Sequence, residues 1–428
     1  MARIVIVGAG LGGVPMAYEM KALARDGDTV TLVHDRDYFH FVPSNPWVAV
    51  NWREAEAIKI PLEKPMAEAG IEFIPVAVNR VDPDNNALTL ADGRTLDYDH
   101  LVLCTGAKLA FDEIPGLGRQ ENYTQSICHV DHTAAARTAW DDFVRDPGPI
   151  VVGAVQGASC FGPAYEFAFI MDADLRRRRI RDQVPMTFVT SEPYIGHLGL
   201  GGVGDSKTML ESELRQRHIG WITNAKIDRV EPETMHVTEM AEDGTEKTRH
   251  DLPFSYGMMI PAFTGIDAIQ GLEGLVNPRG FVLIDKKQRN PQYGNVWAVG
   301  VAVAIPPVGE TPVPVGVPKT GFMIESMVTA AANNIRAVLD GGLPTTEATW
   351  NAVCLADMGD TGLAFVASPQ IPPRNVNWMK KGKWVHYAKI LFEKYYLRKV
   401  RRGVSEPFYE KYALQALGLR KLKDRPPQ

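Results

Sequence analysis

Arg3-Ile-Val-Ile-Val-Gly-Ala-Gly-Leu-Gly-Gly13 decides the fold. An apolar run passes without a break into Gly8-x-Gly10-x-x-Gly13, with Gly12 beside the last position. The run reads as a buried strand that turns directly into a helix. The first glycine makes the tight turn, the second lets backbone approach a pyrophosphate, and the third lets the helix pack on the strand. Residues 12–25 continue as that helix and Thr29–Val33 as a second strand, which completes a βαβ unit. An acid that binds a ribose should end the second strand. His34 stands there and Asp35 follows, so either of the two could meet the ribose.

The same pattern starts again at Pro149-Ile-Val-Val-Gly-Ala-Val-Gln-Gly-Ala158, and there it is broken. Gly153 supplies the first glycine and Ala158 an acceptable third residue, but the middle position is Val155. A valine Cβ with two methyls should hold a phosphate off. The first motif is therefore fit for a dinucleotide and the second is not. Cys160 follows two residues later, near the start of the next helix. There the helix dipole and free N–H groups would lower the pKa of its thiol. Leu101-Val-Leu-Cys-Thr-Gly106 and Asn295-Val-Trp-Ala-Val-Gly300 read as two more buried strands ending in glycine. The fold class is α/β with two Rossmann-like domains, the second inserted into the first.

The 428 residues carry a net charge of -5, which argues against nucleic acid as a partner. No run of 18 apolar residues occurs, so no spanning helix is expected. Met1 leads straight into a strand, with no signal-peptide pattern. The four cysteines, Cys104, Cys128, Cys160 and Cys354, match neither a zinc pattern nor a small disulfide scaffold, and no metal site is expected. Cys104 lies within an apolar strand and reads as a small buried hydrophobe. Cys128 precedes His129, Asp131 and His132, a polar setting that suits a thiolate.

The C-terminal part differs in character. Trp378 to Arg402 holds nine Lys or Arg against one acid, Glu393. Trp384, Tyr387, Ala388, Leu391, Phe392, Tyr395 and Tyr396 recur at helical spacing. Ser405 offers an N-cap before Pro407, and Phe408, Tyr412, Ala416 and Leu419 continue a second stripe. A basic amphipathic segment of this kind suits a membrane surface.

Several longer stretches carry a resemblance: Tyr38-Phe-His-Phe-Val-Pro-Ser-Asn-Pro46, Ser159-Cys-Phe-Gly-Pro-Ala-Tyr-Glu166, Ser191-Glu-Pro-Tyr-Ile-Gly-His197, Pro318-Lys-Thr-Gly321, Val353-Cys-Leu-Ala-Asp-Met-Gly359 and Ser405-Glu-Pro-Phe-Tyr-Glu410. Together with Gly8–Gly13, Thr105-Gly106 and Gly300 they resemble the bacterial sulfide:quinone oxidoreductases with three catalytic cysteines. These belong to the two-dinucleotide-domain flavoproteins. The resemblance covers essentially the whole chain. It implies an FAD-binding domain over 1–115 and 286–345, a second Rossmann-like domain over 145–285 carrying Cys160, and a region over 346–428 for membrane attachment and quinone entrance.

It also implies roles. FAD would be held by Gly8, Gly10, Gly12, Gly13, His34 or Asp35, Ser44, Val78, Thr105, Gly106, Gly300, Lys319 and Gly321. Val301 stands where many related flavoproteins have an aspartate for the ribityl chain, leaving a backbone amide for that work. Cys160 and Cys354 would form the redox pair, with Cys354 meeting the flavin and Cys128 helping to release polysulfide. His132 and His197 would carry protons. Lys319 would stabilise charge on reduced flavin and quinone. Phe392 and Tyr409 would sandwich the quinone ring.

The implied partners are hydrogen sulfide, a membrane quinone (ubiquinone or menaquinone) and the membrane surface, with a homo-oligomer left open. The implied place is the surface of the bacterial inner membrane. Three rivals share parts of the pattern. A type-two NADH:quinone oxidoreductase needs an intact second glycine motif, and Val155 speaks against it. A flavocytochrome c sulfide dehydrogenase subunit is exported, and no leader is seen. A flavin-bound redox sensor would use the thiols as a switch without turnover.

Overall fold

The computed structural model describes residues 1–118 and 123–403, together with Gln415 and Leu422. Tyr409 and the second-stripe residues Ser405, Pro407, Phe408, Tyr412, Ala416 and Leu419 lie outside the described residues.

The elements that place the site run in this order: β1 (Arg3–Val7), α1 (Gly13–Leu23), β2 (Thr29–Val33), α2 (Asn45–Ala49), β3 (Glu72–Ile74), β4 (His100–Leu103), α3 (Val130–Phe143), β5 (Ile150–Ala154), α4 (Gly162–Arg178), β6 (Met186–Thr190), β7 (Ile219–Ile222), β8 (Tyr256–Ile260), β9 (Val296–Ala298), α5 (Gly321–Leu339), β10 (Ala352–Asp357), β11 (Gly362–Ser368), β12 (Val376–Gly382) and α6 (Lys383–Arg402). The first sheet has the order β9-β4-β1-β2-β3 and every pair is parallel. The second has the order β7-β6-β5-β8 and is also wholly parallel. Strands with both faces covered should read as continuous apolar runs, and Ile-Val-Ile-Val in β1 and Ile-Val-Val in β5 do so. Each sheet places its glycine-bearing strand, β1 or β5, where the strand order reverses. That is where open α/β sheets bind ligands.

The third sheet, β10-β11-β12, is antiparallel. Its first strand carries Cys354. β10 packs on α4 of the second unit and on α6. α6 then returns to the first unit, where Tyr396, Leu397 and Val400 join the core around β1 and α1.

The helical stripe expected from sequence, Trp384 to Tyr396, lies within α6, but its positions do not share one exposed face. Trp378–Gly382 belongs to strand β12, and the helix starts only at Lys383. The aromatic positions also split. Trp384, Tyr387, Leu391 and Phe392 stay 47, 63, 63 and 37% exposed, while Tyr396 is buried against Phe39 and Phe41. Helical spacing defines a face but not what covers each end of it. Among the described residues, no helix is long and apolar enough to cross a membrane.

Candidate functional site

The first glycine motif has the geometry a dinucleotide needs. Gly8 has φ +100°, and a Cβ there would fall 2.4 Å from the Cys104 carbonyl oxygen. At Gly13 a Cβ would lie 1.6 Å from the Gly8 oxygen, so helix and strand touch through backbone. Gly10, Gly106 and Gly321 are different, because a Cβ on any of them would meet nothing within 4 Å. Open faces at the end of β1, after β4 and at the start of α5 form a cradle beside two helix N-termini, which suits a pyrophosphate. Gly12 closes one side, its Cβ position 3.3 Å from Val299.

The other expected cofactor residues fall as follows. His34 Nδ1 lies 3.1 Å from Asp35 Oδ1, with His34 the more buried of the two. Thr105 Oγ1 donates to the Gly106 oxygen. The Gly300 N–H points at Met327 Sδ, 3.4 Å away. Ser44 is fully buried and donates to Glu393 on α6. Val78 begins a strand of a small antiparallel sheet.

The second motif is closed. Val155 is 1% exposed, within an apolar cluster that includes Ile114, Leu117, Val189 and Ile227. Gln156 clamps the turn through two hydrogen bonds of 2.9 Å to the backbone of Ile227. The place where backbone would approach a phosphate is filled by core packing.

Cys128, Cys160 and Cys354 all pack against the core of the second unit, whereas Cys104 is buried in the core of the first. Each of the three precedes or sits on a different element: Cys128 ahead of α3, Cys160 ahead of α4, Cys354 on β10. Charge on Cys128 or Cys354 raises the pKa of Cys160, so the three are electrostatic neighbours. They lie deep in the molecule, yet each keeps some accessible surface.

Two sequence expectations about these thiols are overturned. Cys160 lies two residues before α4, and burial pushes its thiol up to about 12, against the expected lowering. Burial likewise pushes Cys128 up to about 11, although Ser126 works the other way. Desolvation of the charged form outweighs a helix dipole that acts only within the first turn. Lys319 is the cation that offsets this at Cys160. Its Nζ rests 4.7 Å from the centre of the Phe281 ring, and burial pushes it down to about 8.

In the reduced protein below pH 8, Lys319→Met should slow alkylation of Cys160 by about threefold to tenfold, because losing the cation raises the thiol pKa. Lys319→Arg should keep the wild-type rate. Peptide mass spectrometry reads the rate, and an unchanged rate in Lys319→Met would mean that the lysine does not act on the thiol.

Of the two histidines, His132 has Nδ1 3.2 Å from Ser126 Oγ, the hydroxyl that also accepts the Cys128 backbone N–H at 3.2 Å. His197 sits on the loop after β6, edge-on to Tyr194, with its Nδ1 buried and unpartnered among the described residues. That loop abuts the Lys319 segment, since a Cβ on Gly199 would meet the Gly316 oxygen at 2.2 Å and Pro318 at 3.2 Å. Phe392 leans on Phe41 and Tyr396 at ring distances of 5.7 and 5.8 Å.

Residues that sequence reasoning gave no role complete the site. Glu166 on α4 and Lys389 on α6 form a buried ion pair. Glu166 also accepts the Asp357 N–H at 3.0 Å. Asp357, fully buried, accepts from Trp47 Nε1 and contacts His386 Nδ1, each at 2.7 Å. Lys389 lowers the pKa of Cys354 and Glu166 raises it.

A two-Rossmann fold with a dinucleotide cradle and thiols deep in the second unit defines a class. The model for pyridine nucleotide-disulphide oxidoreductases matches residues 2–319, and the chain belongs to that family. A sulfide-quinone reductase of Aquifex aeolicus is 41% identical over 96% of this chain and 94% of its own length. The X-ray structure of the sulfide:quinone oxidoreductase from Aquifex aeolicus has a TM-score of 0.92 at 40% identity, covering 97% of this chain and 95% of that one. Within the class, then, the chain is a member of the sulfide:quinone oxidoreductases, as the sequence motifs implied. The mitochondrial sulfide:quinone oxidoreductase of Dictyostelium discoideum is 22% identical over 71% of this chain and 66% of its own. NDH2 from Plasmodium falciparum, solved with NADH, has a TM-score of 0.72 at 14% identity and shares the fold alone.

Proposed function

We propose that the protein is an FAD-dependent enzyme that oxidises hydrogen sulfide and passes two electrons to a membrane quinone. The observation that carries this is the gathering of Cys128, Cys160 and Cys354 on one core, with Cys104 excluded from it.

In the reacting form Cys160 and Cys354 are joined as a disulfide. Hydrosulfide attacks the Cys160 sulfur, breaking the S–S bond, so that Cys160 becomes a persulfide and Cys354 leaves as a thiolate. Lys319 favours the anionic form at Cys160, and Lys389 holds positive charge beside the Cys354 thiolate. Ser126 links His132 to the Cys128 backbone, placing a proton carrier at the third thiol, which accepts the growing sulfur chain. FAD, when bound in the cradle, supplies the two-electron acceptor that returns the thiols to the disulfide level and reduces quinone.

An absorbance spectrum checks this. Anaerobic sulfide should bleach the flavin band within mixing time, while NADH should leave it intact because Val155 closes the second nucleotide seat. Bleaching by NADH with none by sulfide would reverse the assignment.

Phe392, with Phe41 behind it, marks the quinone entrance, and the exposed apolar face of α6 lies on a membrane. Trp384, Tyr387 and Leu391 would enter the headgroup region. Nearby lysines and arginines would each add about 1 kcal/mol on an anionic surface. Removing the whole tail is no test, because β12 and the buried part of α6 are core. Trp384→Ser with Leu391→Ser should instead keep flavin and move the protein to the supernatant in liposome sedimentation. Sedimentation equal to wild type would remove α6 as the anchor.

A further inference from the structure

A cavity of about 350 Å³ lies on the flank of α6, lined by Trp47, Trp52, Arg53, Arg177, His386 and Ile390. None of the thiols lines it. Two guanidinium groups lie on two indole faces there, Arg53 4.6 Å from the Trp47 ring centre and Arg177 4.0 Å from that of Trp52. Stacking fixes a guanidinium while leaving N–H groups on its edge for an acceptor. The indoles are themselves tied down, Trp47 to Asp357 at 2.7 Å and Trp52 to Asp174 at 2.9 Å.

The two guanidiniums differ in how they are paired. Arg53 is paired with Glu393 at 3.0 Å. Arg177 donates to the Gly359 carbonyl at 3.0 Å and, among the described residues, forms no ion pair with a carboxylate. His386 engages Asp357 through Nδ1, leaving Nε2 as its open ring edge. Arg177 therefore offers planar donors that no carboxylate engages among the described residues, the Asp357 carboxylate being taken up by Trp47 and His386, and Ile390 supplies an apolar edge. Planar guanidinium donors match the oxygens of a tetrahedral anion.

We propose that this cavity binds a phosphate oxyanion, whether carried on an anionic lipid headgroup or free in solution. The lipid source rests on the membrane reading of α6, which lines the cavity through His386 and Ile390 and exposes Trp384, Tyr387 and Leu391; the anion site itself does not. Filling it would add a headgroup contact to the apolar anchor and set the protein's preference for anionic bilayers.

Calorimetric titration of the flavin-loaded full chain tests this. The ligands are dihexanoyl phosphatidylglycerol below its micelle concentration, dihexanoyl phosphatidylcholine and inorganic phosphate. Saturable binding of the phosphatidylglycerol, weakened about tenfold or more by Arg177→Gln and largely kept by Arg177→Lys, is the expected result. Inorganic phosphate binding with the same Arg177 dependence, and no gain from the lipid, would support the site with a free anion as its occupant. Ile390→Glu, which sets a carboxylate in the cavity and leaves the stacked arginines in place, should abolish binding even if Arg177→Gln folds poorly. No saturable binding of either anion, or binding unchanged in both Arg177→Gln and Ile390→Glu, would overturn the proposal. Trp384→Ser with Leu391→Ser should lose liposome sedimentation yet keep soluble-ligand binding, so the cavity and the anchor fail separately.

Discussion

Cys160→Ala and Cys354→Ala should each keep the flavin yet lose sulfide-dependent quinone reduction by about a thousandfold or more, because each removes half of a pair that acts as a unit. The double variant should be no worse than either single one, as residues of one reacting unit are not additive. Cys104→Ala should keep turnover within about twofold, since its methyl-sized loss lies in the other core and touches no reacting group. Cys128→Ala should fall between, with turnover slowing as sulfur accumulates. Steady-state rates with a short soluble quinone separate this chemistry from membrane docking. Wild-type turnover in Cys160→Ala would end the disulfide mechanism.

Lys389→Met should destabilise the protein by about 3–5 kcal/mol, because it leaves Glu166 buried without its cation. Glu166 is 6% exposed and Lys389 4%. Burial already holds the Glu166 carboxyl above its ordinary range despite the ammonium beside it. The companion Glu166→Gln with Lys389→Met removes both charges and keeps an acceptor for the Asp357 N–H. It should recover most of the lost stability, since a pair replaced together leaves no orphan charge. Denaturant unfolding followed by flavin fluorescence measures both variants. A double variant as unstable as Lys389→Met alone would show that the lysine acts through packing on Trp47 rather than through charge.

The contrast between the two glycine motifs was legible in the chain because each role belongs to one residue and its backbone. Gly8, Gly10 and Gly13 act through what a missing Cβ permits, and Val155 through what its own methyls fill. The family was legible for a similar reason, since the motifs around Cys160, Lys319 and Cys354 are local runs. Lys389 was not legible in this way. At helical spacing it reads as one more lysine on the wet side of a basic helix, and its partner lies 223 residues away. Asp357 with His386 escaped for the same reason, as a pairing between strand and helix leaves no period in the sequence. The thiol pKa values were misread because proximity to a helix start is visible in sequence, while the depth of burial that overrides it is set by the tertiary fold. The end of β12 was also hidden. Gly382 is extended there, and nothing in the aromatic spacing marks where strand gives way to helix.

The depth of Cys128, Cys160 and Cys354 also makes the enzyme a sieve. Exchange needs a thiolate to reach a sulfur in line with the bond it breaks. A two-atom nucleophile should reach such partly covered thiols more readily than a tripeptide thiol or a protein cysteine. Selectivity for sulfide should then begin with steric admission, tested by comparing sulfide with glutathione as the thiol that reduces the flavin.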